Sequence, residues 1–133
     1  YCVFSFRRVK NKGTVKTIHI MFHHGWFAGR TKSNKDTHLI RALANFPRTT
    51  AFFCGHGHDK HDVRIDALSV AGCKIEQWIR RAAMVGSYRR TYTKDVVDYG
   101  EVVGYAPSAL GKVTLCLRPY SDDEERVIDL TNL

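Results

Sequence analysis

Five of the chain's seven histidines fall into two short groups, His23-His24 and His56-x-His58-x-x-His61. Neutral imidazole is a good ligand for Zn, Fe, Mn or Co. Two histidines one residue apart on a short loop can address two ions, or two sides of one site. Each group follows an apolar run, Ile18 to Phe22 and Ala51 to Cys54, and each has glycine beside it. A lone histidine more often serves structure than a metal, and an isolated H-x-H is weak evidence. The combination of His-His-Gly with a later Gly-His-x-His is more specific, and it points to metal binding.

Such residues must be held at strand ends. Residues 2–9 and 14–22 alternate as two strands: Cys2, Phe4 and Phe6 share one face, and Ile18, Ile20 and Phe22 share a face of the second. Lys10-Asn11-Lys12-Gly13 joins them, with Gly13 supplying the positive φ of a tight hairpin. After a loop at 25–32, Ser33 or Asn34 caps a helix running to about Asn45, with Leu39, Ile40, Leu43 and Phe46 as its buried stripe. Pro47 stops it. Thr49 to Cys54 reads as a buried strand ending at Gly55-His56-Gly57-His58, a turn whose glycines free the backbone for close approach to a ligand.

Beyond this turn, Val63, Ile65 and Ala67 alternate as a strand should. Residues 74–85 fit a helix period through Ile75, Trp78, Ile79 and Ala82, but strands are the reading adopted. Residues 112–118 and 125–130 are expected as terminal strands around the acidic turn Asp122 to Glu125. No repeat, low-complexity tract or linker interrupts residues 1–133, so a single unit is expected. Ligand sites in α/β sheets form at adjacent strand ends, which is where both histidine groups fall.

Composition sets wide bounds. With 44% hydrophobic and 26% charged residues, the chain is ordinary globular material rather than disordered. No apolar run is long enough for a membrane helix, and the start lacks the pattern of a signal peptide. Cys2, Cys54, Cys73 and Cys116 form no C-x-x-C pair, and their apolar neighbours predict buried, reduced thiols in a cytoplasmic protein. Net charge is +8, and residues 1–48 hold ten Lys and Arg against Asp36 alone. A basic half of this kind suits an anionic partner such as nucleic acid or a phosphate ester, or serves only as a solvated face.

Three pieces carry a family resemblance: Ile20-Met21-Phe22-His23-His24-Gly25, the G-x-x-x-G-R-T-K loop at 25–32, and Phe53-Cys54-Gly55-His56-Gly57-His58. A looser fourth piece follows, Gly86-Ser87-Tyr88, Gly104-Tyr105-Ala106-Pro107-Ser108 and Leu110-Gly111. At these residues the chain resembles the calcineurin-like metallophosphoesterases of phage and bacterial type. The strong match spans residues 14–61. The resemblance implies a β-sandwich core flanked by helices, part of a layered αββα fold. It implies hydrolysis of phosphoesters, with phosphodiesters, nucleotides or nucleic acid favoured, by a hydroxide bridging two ions of Mn, Fe, Zn, Ni or Co. His23 and His56 would then ligate one ion and His58 the other, with His24 as a catalytic or supporting group. Arg30 and Lys32 would bind substrate phosphate, Arg30 through a bidentate fork.

The family's Asp-x-His, Gly-Asp-x-x-Asp and Gly-Asn-His motifs do not occur in the chain. Residues 1–133 are therefore expected to be the C-terminal half of such a domain, as the absent initiator Met and the mid-strand beginning suggest. Carboxylate ligands would come from a missing N-terminal half or another chain. Alone, the histidines would hold at most one metal weakly, and uncovered apolar sheet would favour homo-oligomers. Two readings compete with the enzyme: a noncatalytic structural or nucleic-acid-binding protein derived from that fold, and a single zinc site that only stabilises it.

Overall fold

A computed structural model describes residues 1–7, 15–25, 31–88, 90–120 and 128–132. The expected Gly13 hairpin, Arg30 and the acidic turn at 122–125 lie outside the described residues. The chain is α/β. Five strands form one mixed sheet: β1 (Cys2–Arg7), β2 (Val15–His23), β3 (Ala51–Cys54), β4 (His61–Ala71) and β5 (Lys74–Met84), in spatial order β1-β2-β3-β5-β4. Helix α1 (Lys32–Asn45) connects β2 to β3, and the short α2 (Tyr99–Val102) interrupts the run from β5 to β6. Strands β6 (Val113–Leu117) and β7 (Ile128–Asn132) pair as a separate antiparallel ribbon.

The centre of the sheet is parallel. Strand β3 runs parallel to β2 on one side and to β5 on the other, whereas β1 and β4 are antiparallel edges. Flanked on both sides and covered on both faces, β3 has to be apolar throughout, and all four of its residues are buried. One core lies between the sheet and α1, where Leu39, Ala42 and Leu43 meet Phe52, Ala82 and Met84. The other joins Ile18, Ile20, Phe53 and Ala83 to Val113, Leu115 and Leu117 of β6. Burying a side chain such as Leu43 stabilises by about 1.5–3 kcal/mol. The layers are thus helix, sheet and two-stranded ribbon.

Helix α1 begins slightly before the expected position. Thr31 is its N-cap, with the side-chain oxygen accepting from the Asn34 N–H at 3.4 Å. Its buried stripe also differs from the expected one, since Ala42 is inside while Ile40 and Phe46 are exposed. Phe46 falls past the last helical turn, so the stripe cannot carry it inward. Buried Arg80 on β5 adds hydrogen bonds from a distance: it donates to Leu43 O at 2.5 Å and Phe46 O at 2.7 Å at the helix end, and to Thr49 O at 2.8 Å in the turn beyond. A cation at the negative end of a helix is favoured by the dipole, and Leu43 O and Phe46 O accept from it in addition to backbone N–H groups of Phe46 and Thr49. Trp78 stacks over the guanidinium, 5.2 Å from its ring centroid. Burial lowers the Arg80 pKa from its ordinary value.

Strands β4 and β5 extend well past the rest of the sheet, because β3 pairs only with Arg81–Met84. Register and alternation put Leu68, Val70 and Ile75 on the face of Ala83, opposite α1. All three are more than 70% exposed, and Phe4 and Phe22 on that same face are also open. Arg81 shares the face, and its Nε is buried with no hydrogen-bond partner among the described residues.

The thiols correct one expectation. All four cysteines are unbridged, but only Cys54 is buried; Cys116 is intermediate, and Cys2 and Cys73 are exposed. Cys2 lies on an edge strand and Cys73 in the β4–β5 turn, so their apolar neighbours bring no covering layer. The expected strands at 63–67, 74–85 and 112–118 are present as β4, β5 and β6. Among the described residues, no helix is long and apolar enough to cross a membrane.

Candidate functional site

The two histidine groups stand side by side because β2 and β3 are parallel neighbours, with His23 opposite Cys54 at their carboxyl ends. Gly25 N–H donates to His23 Nδ1 at 2.8 Å, turning that imidazole back onto its own loop. The Nε2 of His24 instead reaches the Nδ1 of His56 at 3.2 Å, with the rings edge to face and centroids 5.2 Å apart. Among the described residues, these two sequence-predicted residues are in direct contact. His58 is exposed, and Lys32 is the exposed first residue of α1.

Glycine in this loop has a packing task. The left-handed residues are His56 (φ 61°) and His58 (φ 48°), whereas Gly55 and Gly57 permit close packing. A Cβ on Gly55 would lie 3.3 Å from the His24 carbonyl, and one on Gly57 would overlap the buried Met84 thioether. Non-glycine residues in this region store local strain, a condition that clusters at functional sites. Gly25 does turn left-handed, at φ 97°, and a Cβ there would press on the His56 Cβ at 3.2 Å. The glycines thus let the two histidine loops touch.

A 410 Å³ cavity opens beside the pair. Its walls are mainly apolar, from Phe22, Phe53, Val85, Val113 and Leu115, with His23 and His24 bringing polar atoms. Cys54 also lines it, and burial pushes that thiol up to about 11, keeping it protonated at neutral pH.

Two side-chain contacts follow the histidine turn and were not legible in the sequence. Lys35 pairs with Asp59, and His61 Nε2 lies 2.5 Å from Asp36 Oδ1. They lace the first turns of α1 to the loop after β3. Consecutive opposite charges at Lys35-Asp36 and the Asp59/His61 spacing were the available signal, but pairing them requires knowing that α1 crosses this loop. Consequently His61, the last member of the second histidine group, has a structural partner.

A tetrahedral metal bound to two imidazole nitrogens at about 2.0–2.1 Å separates them by about 3.3 Å. The His24–His56 separation matches one edge of such a shell. Two nitrogens do not complete it, and among the described residues no three His, Cys, Asp or Glu side chains gather in a metal-holding group. Comparisons with protein-family models, curated proteins and solved structures find no match for the chain.

Proposed function

We propose that this chain supplies histidine ligands to a metal-dependent phosphoesterase whose carboxylate ligands come from another segment or chain. The observation that carries the reading is the 3.2 Å approach of His24 to His56 at the ends of adjacent parallel strands. A bound transition metal would supply charge neutralisation at phosphorus and a lowered pKa for attacking water. The chain's own residues would orient the substrate. Lys32 opens α1, whose positive end favours phosphate, and the apolar cavity walls exclude water from the reacting bonds.

Relative to the family expectation, His24 is the better partner for His56 on one ion, and His23 lies alongside. Ligation by His23 through Nε2 would place its proton on Nδ1 and sacrifice the bond from Gly25 N–H. The uncovered end of the sheet face bearing Leu68, Val70 and Ile75 suits a second sheet of an αββα sandwich. That layer is the natural source of the missing carboxylates.

The test is metal-dependent hydrolysis of bis(4-nitrophenyl) phosphate by the full protein with its partner segment. Activity that needs Mn²⁺ or Zn²⁺ and vanishes in His56→Ala supports the proposal. Hydrolysis that ignores both metal and His56 overturns it. The noncatalytic alternative draws on the net charge of +8, and DNA binding with steep salt dependence and no hydrolysis would favour it.

A further inference from the structure

The segment leaving β5 is a closed loop rather than a linker. Ser87 and Leu110 bridge its two ends, Ser87 N–H donates to Ala109 O at 2.9 Å, and Gly111 N–H donates to Ser87 O at 3.3 Å. Ala109 N–H also donates to the His58 carbonyl at 3.1 Å, which ties the loop base to the histidine turn. Inside, Tyr92 OH donates to Tyr105 O at 2.6 Å, and Ser108 N–H donates to Thr91 Oγ1 at 2.9 Å.

This braced loop presents aromatic rings to solvent. Tyr88 is 89% exposed and Tyr99 66%. Tyr99 meets Tyr105 edge to face at 6.3 Å, which holds a ring in place while leaving surface open. Arg90, Lys94 and Lys112 are exposed among them. Of the three acids in the segment, Asp98 is buried as the cap of α2, accepting from Gly100 N–H, and Glu101 is partly buried. Asp95 is the exposed acid. Solvent therefore meets aromatic faces and mostly positive charge.

We propose that this loop is a stacking platform for single-stranded nucleic acid, with Tyr88 and Tyr99 taking nucleobases and Arg90, Lys94 and Lys112 meeting phosphates. The proposal deepens the phosphoesterase reading by naming its substrate class, and it rests on that reading for the fate of the bound strand. Every base has a π-face, so aromatic platforms with adjacent cations hold single strands with little sequence preference. Duplex would not serve, because its bases are stacked on each other and the loop offers no long helix or ribbon to enter a groove. The internal hydrogen bonds reduce the ordering cost of binding.

Fluorescence anisotropy in EDTA tests it, using labelled oligothymidylate and an abasic strand of equal length. The wild type should bind the base-bearing strand about tenfold more tightly. Tyr88→Ala with Tyr99→Ala should abolish the difference, while Tyr88→Trp with Tyr99→Trp should keep it. Equal affinity for the two strands in the wild type, or a preference that survives the double alanine change, overturns the platform. Because EDTA removes metal, the result is independent of His24 and His56. A base preference without metal-dependent hydrolysis would leave the platform standing and remove the enzyme, and hydrolysis without base preference would do the reverse.

Discussion

His24 Nε2 and His56 Nδ1 approach to 3.2 Å although 32 residues separate them in the chain. The contact exists because β2 and β3 are parallel neighbours and because Gly25 and Gly55 let the following loops close on each other. Two imidazoles so placed share a proton in the absence of a third partner, or present one edge of a metal's coordination shell.

Arg80 should be the most sensitive charged residue for stability. Arg80→Ala removes the donor to two carbonyls at the end of α1 and to that of Thr49 in the turn beyond. A loss of about 3 kcal/mol is expected in urea unfolding, since three hydrogen bonds from a buried charged donor are lost. Arg80→Lys should recover only part, because an ammonium cannot reproduce the planar fork. An unchanged urea midpoint in Arg80→Ala would contradict this account of the helix end.

Thiol chemistry should separate the cysteines. Exposed Cys2 and Cys73 should alkylate rapidly at pH 8, and Cys54 only on unfolding. Burial raises the Cys54 pKa from 9.0 to about 11, so above pH 9 the unfolded thiol loses its proton first. The folded state then holds more protons, and stability falls as pH rises from about 9 to about 11. Subtracting the pH profile of Cys54→Ala isolates that slope; a difference profile flat across this range would show that burial does not perturb the thiol.

The left-handed φ of 48° at His58 gives a prediction about strain. His58→Gly should be more stable than His58→Ala by about 1 kcal/mol, because only glycine occupies this region without cost. Thermal melts of the two variants make the comparison directly.

Gly86 guards the base of the tyrosine loop. A Cβ there would lie 2.6 Å from the Ala109 carbonyl and 3.0 Å from that of Gly111. Backbone atoms cannot yield as a flexible side chain does, so Gly86→Ala should destabilise by about 1–3 kcal/mol. Limited proteolysis should show faster cleavage within residues 88–105 of the variant. Cleavage at the wild-type rate would mean the loop is not clasped at this point.

Much of the strand pattern was legible because β1, β2 and β4 alternate and β3 is continuously apolar. Residues 74–85 fit a helix period as well, and the strand reading adopted there is what the structure shows as β5. The apolar stripe of α1 was only half legible. Periodicity named Ile40 and Phe46, but the sheet takes Leu39, Ala42 and Leu43. Arg80 reads as a surface charge in sequence, and only the docking of β5 under the end of α1 makes it a cap. At the site, sequence put both histidine loops at strand ends, and the family resemblance named His23 as a ligand and His24 as a catalytic or supporting group. The sequence did not show the Gly25 turn, whose N–H engages His23, or the contact of His24 with His56.

The most direct measurement of the central claim is a Zn²⁺ or Co²⁺ titration of wild type, His24→Ala and His56→Ala, followed by calorimetry. The account predicts saturable binding by the wild type and a loss of tenfold or more in affinity, on the order of 1.4 kcal/mol, in each single variant. Wild-type protein that binds no metal, or variants that bind as tightly as it does, would contradict the assignment of His24 and His56 as a ligand pair.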